Sequence, residues 1–160
     1  MQNQNNDLNA YRMQIRFENK SNNPDPDYAH EGDSGFDLRA FLPEPIVLYP
    51  FKRILVPTGL FFELKNGFEI QIRSRSGLTL KNGVIVLNEP GTLDSAYRGE
   101  LGVILANLGE EPFTINNGDR IAQGIVAGVI NKMVLDLVRV DEIDKDTERG
   151  AGGFGSTKIQ

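Results

Sequence analysis

Arginine, serine and glycine crowd together in RSRSGL, residues 73–78. Arg73 and Arg75 offer guanidinium forks, Ser74 and Ser76 hydroxyls, and Gly77 an approachable backbone, a set that suits a polyphosphate. The same residues also describe an ordinary strand end with surface arginines. In NEPGTLDSAYRGEL (88–101), a Pro90-Gly91 turn is expected to bring Asn88 and Asp94 onto facing strands of a hairpin. The Asn88 amide and the backbone at the hairpin mouth can pair with the edge of a flat heterocycle; Asp94 can serve as a base and Tyr97 can offer its ring to a sugar. An aspartate capping a turn and a tyrosine in a barrel wall fit equally well.

Three further stretches carry related chemistry. GDSGFDLRA (32–40) sets Asp33 and Asp37 beside glycines. Such a carboxylate can hold Mg²⁺ through water, since that ion keeps much of its hydration shell, or it can simply stabilise a turn. NNGDRIAQ (116–123) reads as a turn entering a strand, with Asp119 and Arg120 paired structurally and Gln123 free to bond to a neighbour. RGAGGFGSTKIQ (149–160) is too glycine-rich to order unaided, yet it carries Arg149, Phe154, Ser156 and Thr157, groups suited to a nucleotide. His30 and Glu31 belong to no ligand set and read as surface loop residues.

Short strands must position these groups. Apolar residues alternate at Met13, Ile15 and Phe17 and again at Phe68, Ile70 and Ile72. Further β-rich runs cover 46–49, 54–64, 83–87, 101–108, 113–115, 121–130 and 133–140, separated by Asn66-Gly67, Asn82-Gly83, Pro90-Gly91 and Asn117-Gly118 turns. One or two helical turns are expected near 75–83. The pattern predicts an all-β sandwich, barrel or jelly roll. Residues 1–10 read as a disordered polar tail, and 141–150 as a charged linker to a flexible C-terminal arm.

At 160 residues the chain suits one folded unit, and its net charge of −5 argues against a nucleic-acid-binding protein, which needs a basic face. No apolar run approaches the roughly 20 residues of a membrane span, and the start lacks signal-peptide character, so the expectation is a cytoplasmic protein without membrane contact. With no cysteine and one histidine, neither disulfides nor a histidine-rich zinc cluster is available.

Taken in order, GDSGFDLRA, RSRSGL, GTLDSAYRGEL, GDRIAQ and RGAGGFGST match five motifs of the trimeric dUTP pyrophosphatase (dUTPase) family, and the chain resembles that family over residues 32–157. The resemblance implies a jelly-roll-like β-barrel of the β-clip type over residues 11–140, with the arm in residues 141–160. It implies a homotrimer with active sites at subunit interfaces that hydrolyses dUTP to dUMP and pyrophosphate with Mg²⁺. Asp94 then matches the carboxylate that activates water against the α-phosphate. Asn88 and the backbone of Thr92, Leu93 and Asp94 match the uracil-reading segment, and Tyr97 matches the ring that packs on deoxyribose and excludes a 2′-hydroxyl. Arg75, Ser76, Gly77 and Gln123 match phosphate-side residues, and Asp37 matches the contact to metal-bound water. Arg149, Phe154, Ser156 and Thr157 match the closing arm, with Phe154 stacking on uracil.

Departures from the family pattern are few. Ser74 stands where proline is usual, Glu89 where a smaller residue is frequent, and Lys158 where glycine is common. A dCTP deaminase of the same fold is the alternative enzyme, although its phosphate motif typically has two serines where this chain has Ser76-Gly77. A non-catalytic nucleotide-binding module is the alternative outside enzymes, and it has no use for Asp94.

Overall fold

Residues 68–73, FEIQIR, show how the chain builds its interior: Ile70 and Ile72 are buried while Glu69, Gln71 and Arg73 keep partial exposure on the opposite face. A computed structural model describes residues 13–152. Eleven strands and one helix are assigned among them: β1 Arg16–Asn19, β2 Phe36–Arg39, β3 Ile46–Leu48, β4 Arg53–Pro57, β5 Leu60–Glu63, β6 Phe68–Arg73, α1 Ser76–Asn82, β7 Val84–Val86, β8 Gly91–Asp94, β9 Gly102–Asn107, β10 Phe113–Ile115 and β11 Arg120–Gly128. They pair antiparallel into a four-stranded sheet β2-β11-β6-β8, a three-stranded sheet β4-β9-β7, and the ribbons β1-β5 and β3-β10. The fold is all-β and jelly-roll-like.

The inward faces supply one core. Leu38, Ile70 and Ile121 come from the four-stranded sheet, and Val56, Val84, Val103 and Leu105 from the three-stranded sheet, all nearly inaccessible to solvent. Burying such a side chain contributes about 1.5–3 kcal/mol. Among the described residues the one fully buried side-chain amide, Asn107, is satisfied on both ends: Nδ2 donates to the carbonyls of Leu48 (2.9 Å) and Glu111 (2.8 Å), and Oδ1 accepts from the Gly109 N–H (2.8 Å).

Gly67, Gly83 and Gly118 have positive φ, as their Asn-Gly turns require. The run over 54–64 divides at Gly59, φ 71°, into the separate strands β4 and β5. Residues 36–39, read from sequence only as part of a polar stretch, form β2 because Phe36 and Leu38 alternate inward.

The expected hairpin over 88–101 does not form. β7 pairs with β9 and β8 with β6, so the segment between them passes from one sheet to the other, and Asn88 lies on no strand. The Glu89–Pro90 peptide is cis, and Gly91 already opens β8 without positive φ.

The chain divides into two units, one ending at Val129 and one beginning at Ile130. The second contains turns, including Val134 N–H to the Asn131 carbonyl (2.9 Å) and Gly152 N–H to the Arg149 carbonyl (3.0 Å). Residues 133–140, expected as a strand, make no ladder. Their β-branched composition favours a sheet, but among the described residues no strand pairs with them.

Candidate active site

β11 runs between β2 and β6, and its register sets Gln123 opposite Asp37 on one side and Arg73 on the other. All three side chains turn away from the core because Phe36, Leu38, Ala122, Gly124 and Ile72 turn into it. A one-residue slip would bury this polar row, so core packing and site geometry fix the same register. Past the end of β6 the chain enters Ser74, Arg75 and α1. Three stretches distant in sequence thereby line one cleft of about 660 Å³, with Asp37, Arg75, Ser76, Gly77, Arg120 and Gln123 among its walls.

Asp37 organises the arginines. Arg75 Nε lies 3.1 Å from Oδ1 and Arg120 Nη1 3.2 Å from Oδ2. Arg75 Nη1 also donates to the Arg120 carbonyl (3.1 Å), and Gln123 Nε2 donates to the Ser74 carbonyl (2.8 Å). Arg75, Arg120 and Lys81 outnumber Asp33 and Asp37 on the walls, so the cleft favours an anion despite the chain's negative net charge. His30 stands at the same cleft, its Nδ1 3.2 Å from Asp33 Oδ2.

The expected Asp119–Arg120 pair is absent. Asp119 Oδ2 instead accepts from the Asn116 N–H (2.8 Å), closing the turn before β11, while Arg120 reaches Asp37. The pairing of β11 with β2 shifts register between Arg120 and Ala122, and Ile121 and Ala122 are both buried. This bulge turns Arg120 and Gln123 to the same side, although strict alternation would separate residues three apart. Composition does not reveal a bulge, which is why Arg120 reads from sequence as purely structural. The alternation of β6 also sets Arg73, Gln71 and Glu69 in one polar row. Gln71 Nε2 donates to Glu69 Oε1 (2.8 Å), and Arg73 donates to Gln71 Oε1.

A second, smaller cleft of about 210 Å³ is lined by Thr92, Leu93, Asp94, Tyr97 and Glu100. Asp94 ends β8 with an exposed carboxylate, opposite Glu69 of β6. The Tyr97 N–H bonds the Asp94 carbonyl (3.1 Å), and the Tyr97 hydroxyl donates to the Glu100 carbonyl (3.1 Å), which sets the ring beside Asp94. Asn88 lines neither cleft. Arg149 Nε donates to the Gly152 carbonyl (2.9 Å) within the second unit, whereas Phe154, Ser156 and Thr157 fall outside the described residues.

The family model for dUTPase matches residues 21–158. This chain belongs to the dUTPase family. Among its relatives is a deoxyuridine 5′-triphosphate nucleotidohydrolase of Caulobacter vibrioides, 54% identical over 146 residues that cover 90% of this chain and 92% of the relative. Another protein of that name, from Treponema denticola, is 57% identical over 134 residues, covering 84% and 90%. A solved dUTPase of Staphylococcus bacteriophage 80alpha, with bound dUPNHPP, superposes with a TM-score of 0.77 at 25% identity, covering 91% of this dUTPase-family chain and 99% of the phage chain.

Proposed function

We infer that this chain hydrolyses dUTP to dUMP and pyrophosphate, supplying dUMP for thymidylate synthesis and keeping uracil out of DNA. The observation that carries the reading is the exposed Asp94 carboxylate beside Tyr97, on the strand next to the one that leads into the anion cleft. A pure nucleotide binder gains nothing from such a carboxylate; a hydrolase needs one to activate water.

Asp94 takes a proton from water as the water oxygen bonds to the α-phosphorus. The bond from that phosphorus to the α–β bridging oxygen breaks, and its electron pair leaves with pyrophosphate. Arg75, Ser76, Gly77 and Gln123 hold the phosphates and Arg120 adds charge, so most of the acceleration comes from positioning and charge stabilisation. Asn88 with the backbone at Thr92, Leu93 and Asp94 reads uracil, and Tyr97 packs on deoxyribose. Arg149, Phe154, Ser156 and Thr157, in the arm at 141–160, close over the nucleotide.

Asp37 fits a water-mediated Mg²⁺ contact. No cluster of three or more His, Asp or Glu side chains suited to a metal occurs among the described residues, which fits an ion held mainly by substrate phosphates and water. Mg²⁺, when bound, neutralises phosphate charge. Each Asp37 oxygen meets one guanidinium and retains capacity to accept a water hydrogen.

The two clefts imply a composite site. Asp94 faces Glu69, and Arg75 follows six residues later, a span of roughly 20 Å along an extended chain. An aspartate-activated water and an arginine on the same triphosphate must be much closer. We therefore take the active enzyme as a cytoplasmic homotrimer in which Asp94 of one subunit faces Arg75 of another.

Asp94→Asn should retain dUTP affinity within about tenfold and slow pyrophosphate release by about 10²–10⁴-fold. Equilibrium binding and single-turnover assays measure the two separately, and near-normal turnover would remove Asp94 from its role. Ammonia release from dCTP would instead identify a deaminase.

A further inference from the structure

Two departures from the family pattern, Ser74 and Glu89, touch each other. The Ser74 hydroxyl donates to Glu89 Oε2, and Ser74 Oγ in turn accepts the Val86 N–H at 2.9 Å. The Ser74 carbonyl accepts from Gln123 Nε2 at 2.8 Å. Ser74 thus ties together the end of β6, the end of β7, the segment leading into β8, and β11. With Val86 occupying an acceptor position, the single hydroxyl hydrogen is committed to Glu89.

We propose that Ser74 and Glu89 form a latch that positions Arg75 for the polyphosphate, replacing by hydrogen bonds the rigidity that proline would supply. Proline fixes its own φ through its ring. Serine leaves that torsion free, and the torsions of residue 74 aim the Arg75 side chain. In the ligand-free chain, Asp37 and the Arg120 carbonyl also hold the Arg75 guanidinium. A phosphate must compete for that guanidinium, whereas the latch grips the backbone before it and persists when the side chain changes partner. Glu89 also adjoins Asn88, so in the proposed trimer the latch joins the loop that holds phosphate in one site to the loop that reads uracil in a neighbouring one.

This rests on the dUTP reading, and the sign of the effect separates the latch from simple electrostatics. Removing a carboxylate near an anion site should by itself strengthen anion binding; loss of the latch should weaken it. Glu89→Ala and Ser74→Ala are expected to raise KM for dUTP three- to tenfold, with kcat within twofold. They should weaken inorganic pyrophosphate binding by a similar factor in calorimetry. The double variant should be no worse than Ser74→Ala alone. Glu89→Gln keeps an acceptor for the hydroxyl and should restore both values to within twofold of the wild-type chain.

Unchanged or tighter pyrophosphate binding in Glu89→Ala would overturn the latch. So would additive losses in the double variant, or a Gln variant as weak as the Ala variant. Hydrogen exchange of the Val86 amide reads the latch without turnover: faster exchange is expected in Glu89→Ala and Ser74→Ala, and unchanged exchange in Glu89→Ala argues against it. A wild-type chain that bound pyrophosphate but left dUTP intact would sink the dUTP reading alone.

Discussion

Asp37 shows how one side chain serves several ends. Its carboxylate meets Arg75 and Arg120, which lie on different elements, and so draws these two cations into one wall of the cleft. Charge-assisted contacts of this kind are directional, and they hold both guanidinium groups ready for a phosphate. Gly99 plays the matching part in the smaller cleft. A Cβ there would lie 2.3 Å from the Tyr97 hydroxyl oxygen and 2.5 Å from the ring carbon bearing it. Gly99→Ala must therefore move the ring assigned to exclude a 2′-hydroxyl. We expect the kcat/KM ratio of UTP to dUTP to rise about tenfold, or about 1.4 kcal/mol of lost discrimination. Parallel turnover assays with the two nucleotides check this, and an unchanged ratio would mean that Tyr97 does not guard the sugar. Gly35 is constrained in the same way, since an added Cβ would approach Gln123 Oε1 to 2.7 Å.

The element that matters most is β6. Its inward residues anchor it in the core while its outward face and its C-terminal extension carry polar groups into the site. Ile70 is fully buried, so Ile70→Ala should cost about 2–5 kcal/mol of stability, seen as a lower denaturant midpoint with little change in slope. A cost below about 1 kcal/mol would show that the sheet does not depend on that contact. The strands around β6 differ in how plainly the sequence announces them. Alternating β6 and the Asn-Gly turns at Gly67, Gly83 and Gly118 are legible because local torsion and periodicity decide them. The short β2 is hidden by its polar surroundings, and the bulge in β11 is hidden altogether because it follows from pairing with β2. The segment from Asn88 to Gly91 misleads for the same reason: a Pro-Gly pair suggests a turn, yet each flanking strand finds a better partner in a different sheet.

For the whole molecule, the composite site proposed above makes a prediction about paired chains. Asp94 and Arg75 lie toward opposite ends of β6, too far apart to act together on one phosphate. Mixing inactive Asp94→Asn and Arg75→Ala chains under subunit exchange should restore part of the wild-type turnover. In the proposed homotrimer, some mixed interfaces then pair an intact Asp94 with an intact Arg75. No recovery after confirmed exchange would place both residues in a site built by one chain and overturn the composite assignment.

Local torsions, alternation and residue chemistry make the strand-rich class, the Asn-Gly turns and the five ordered stretches that identify the family legible along the chain. Tertiary structure alone decided that Asp37, Gln123 and Arg73 form one row, that Arg120 turns to Asp37, that Ser74 meets Glu89, and that Asp94 stands apart from Arg75. Those outcomes depend on which strands pair and in what register. Long-range burial of the core sets that register, and no window along the chain contains it.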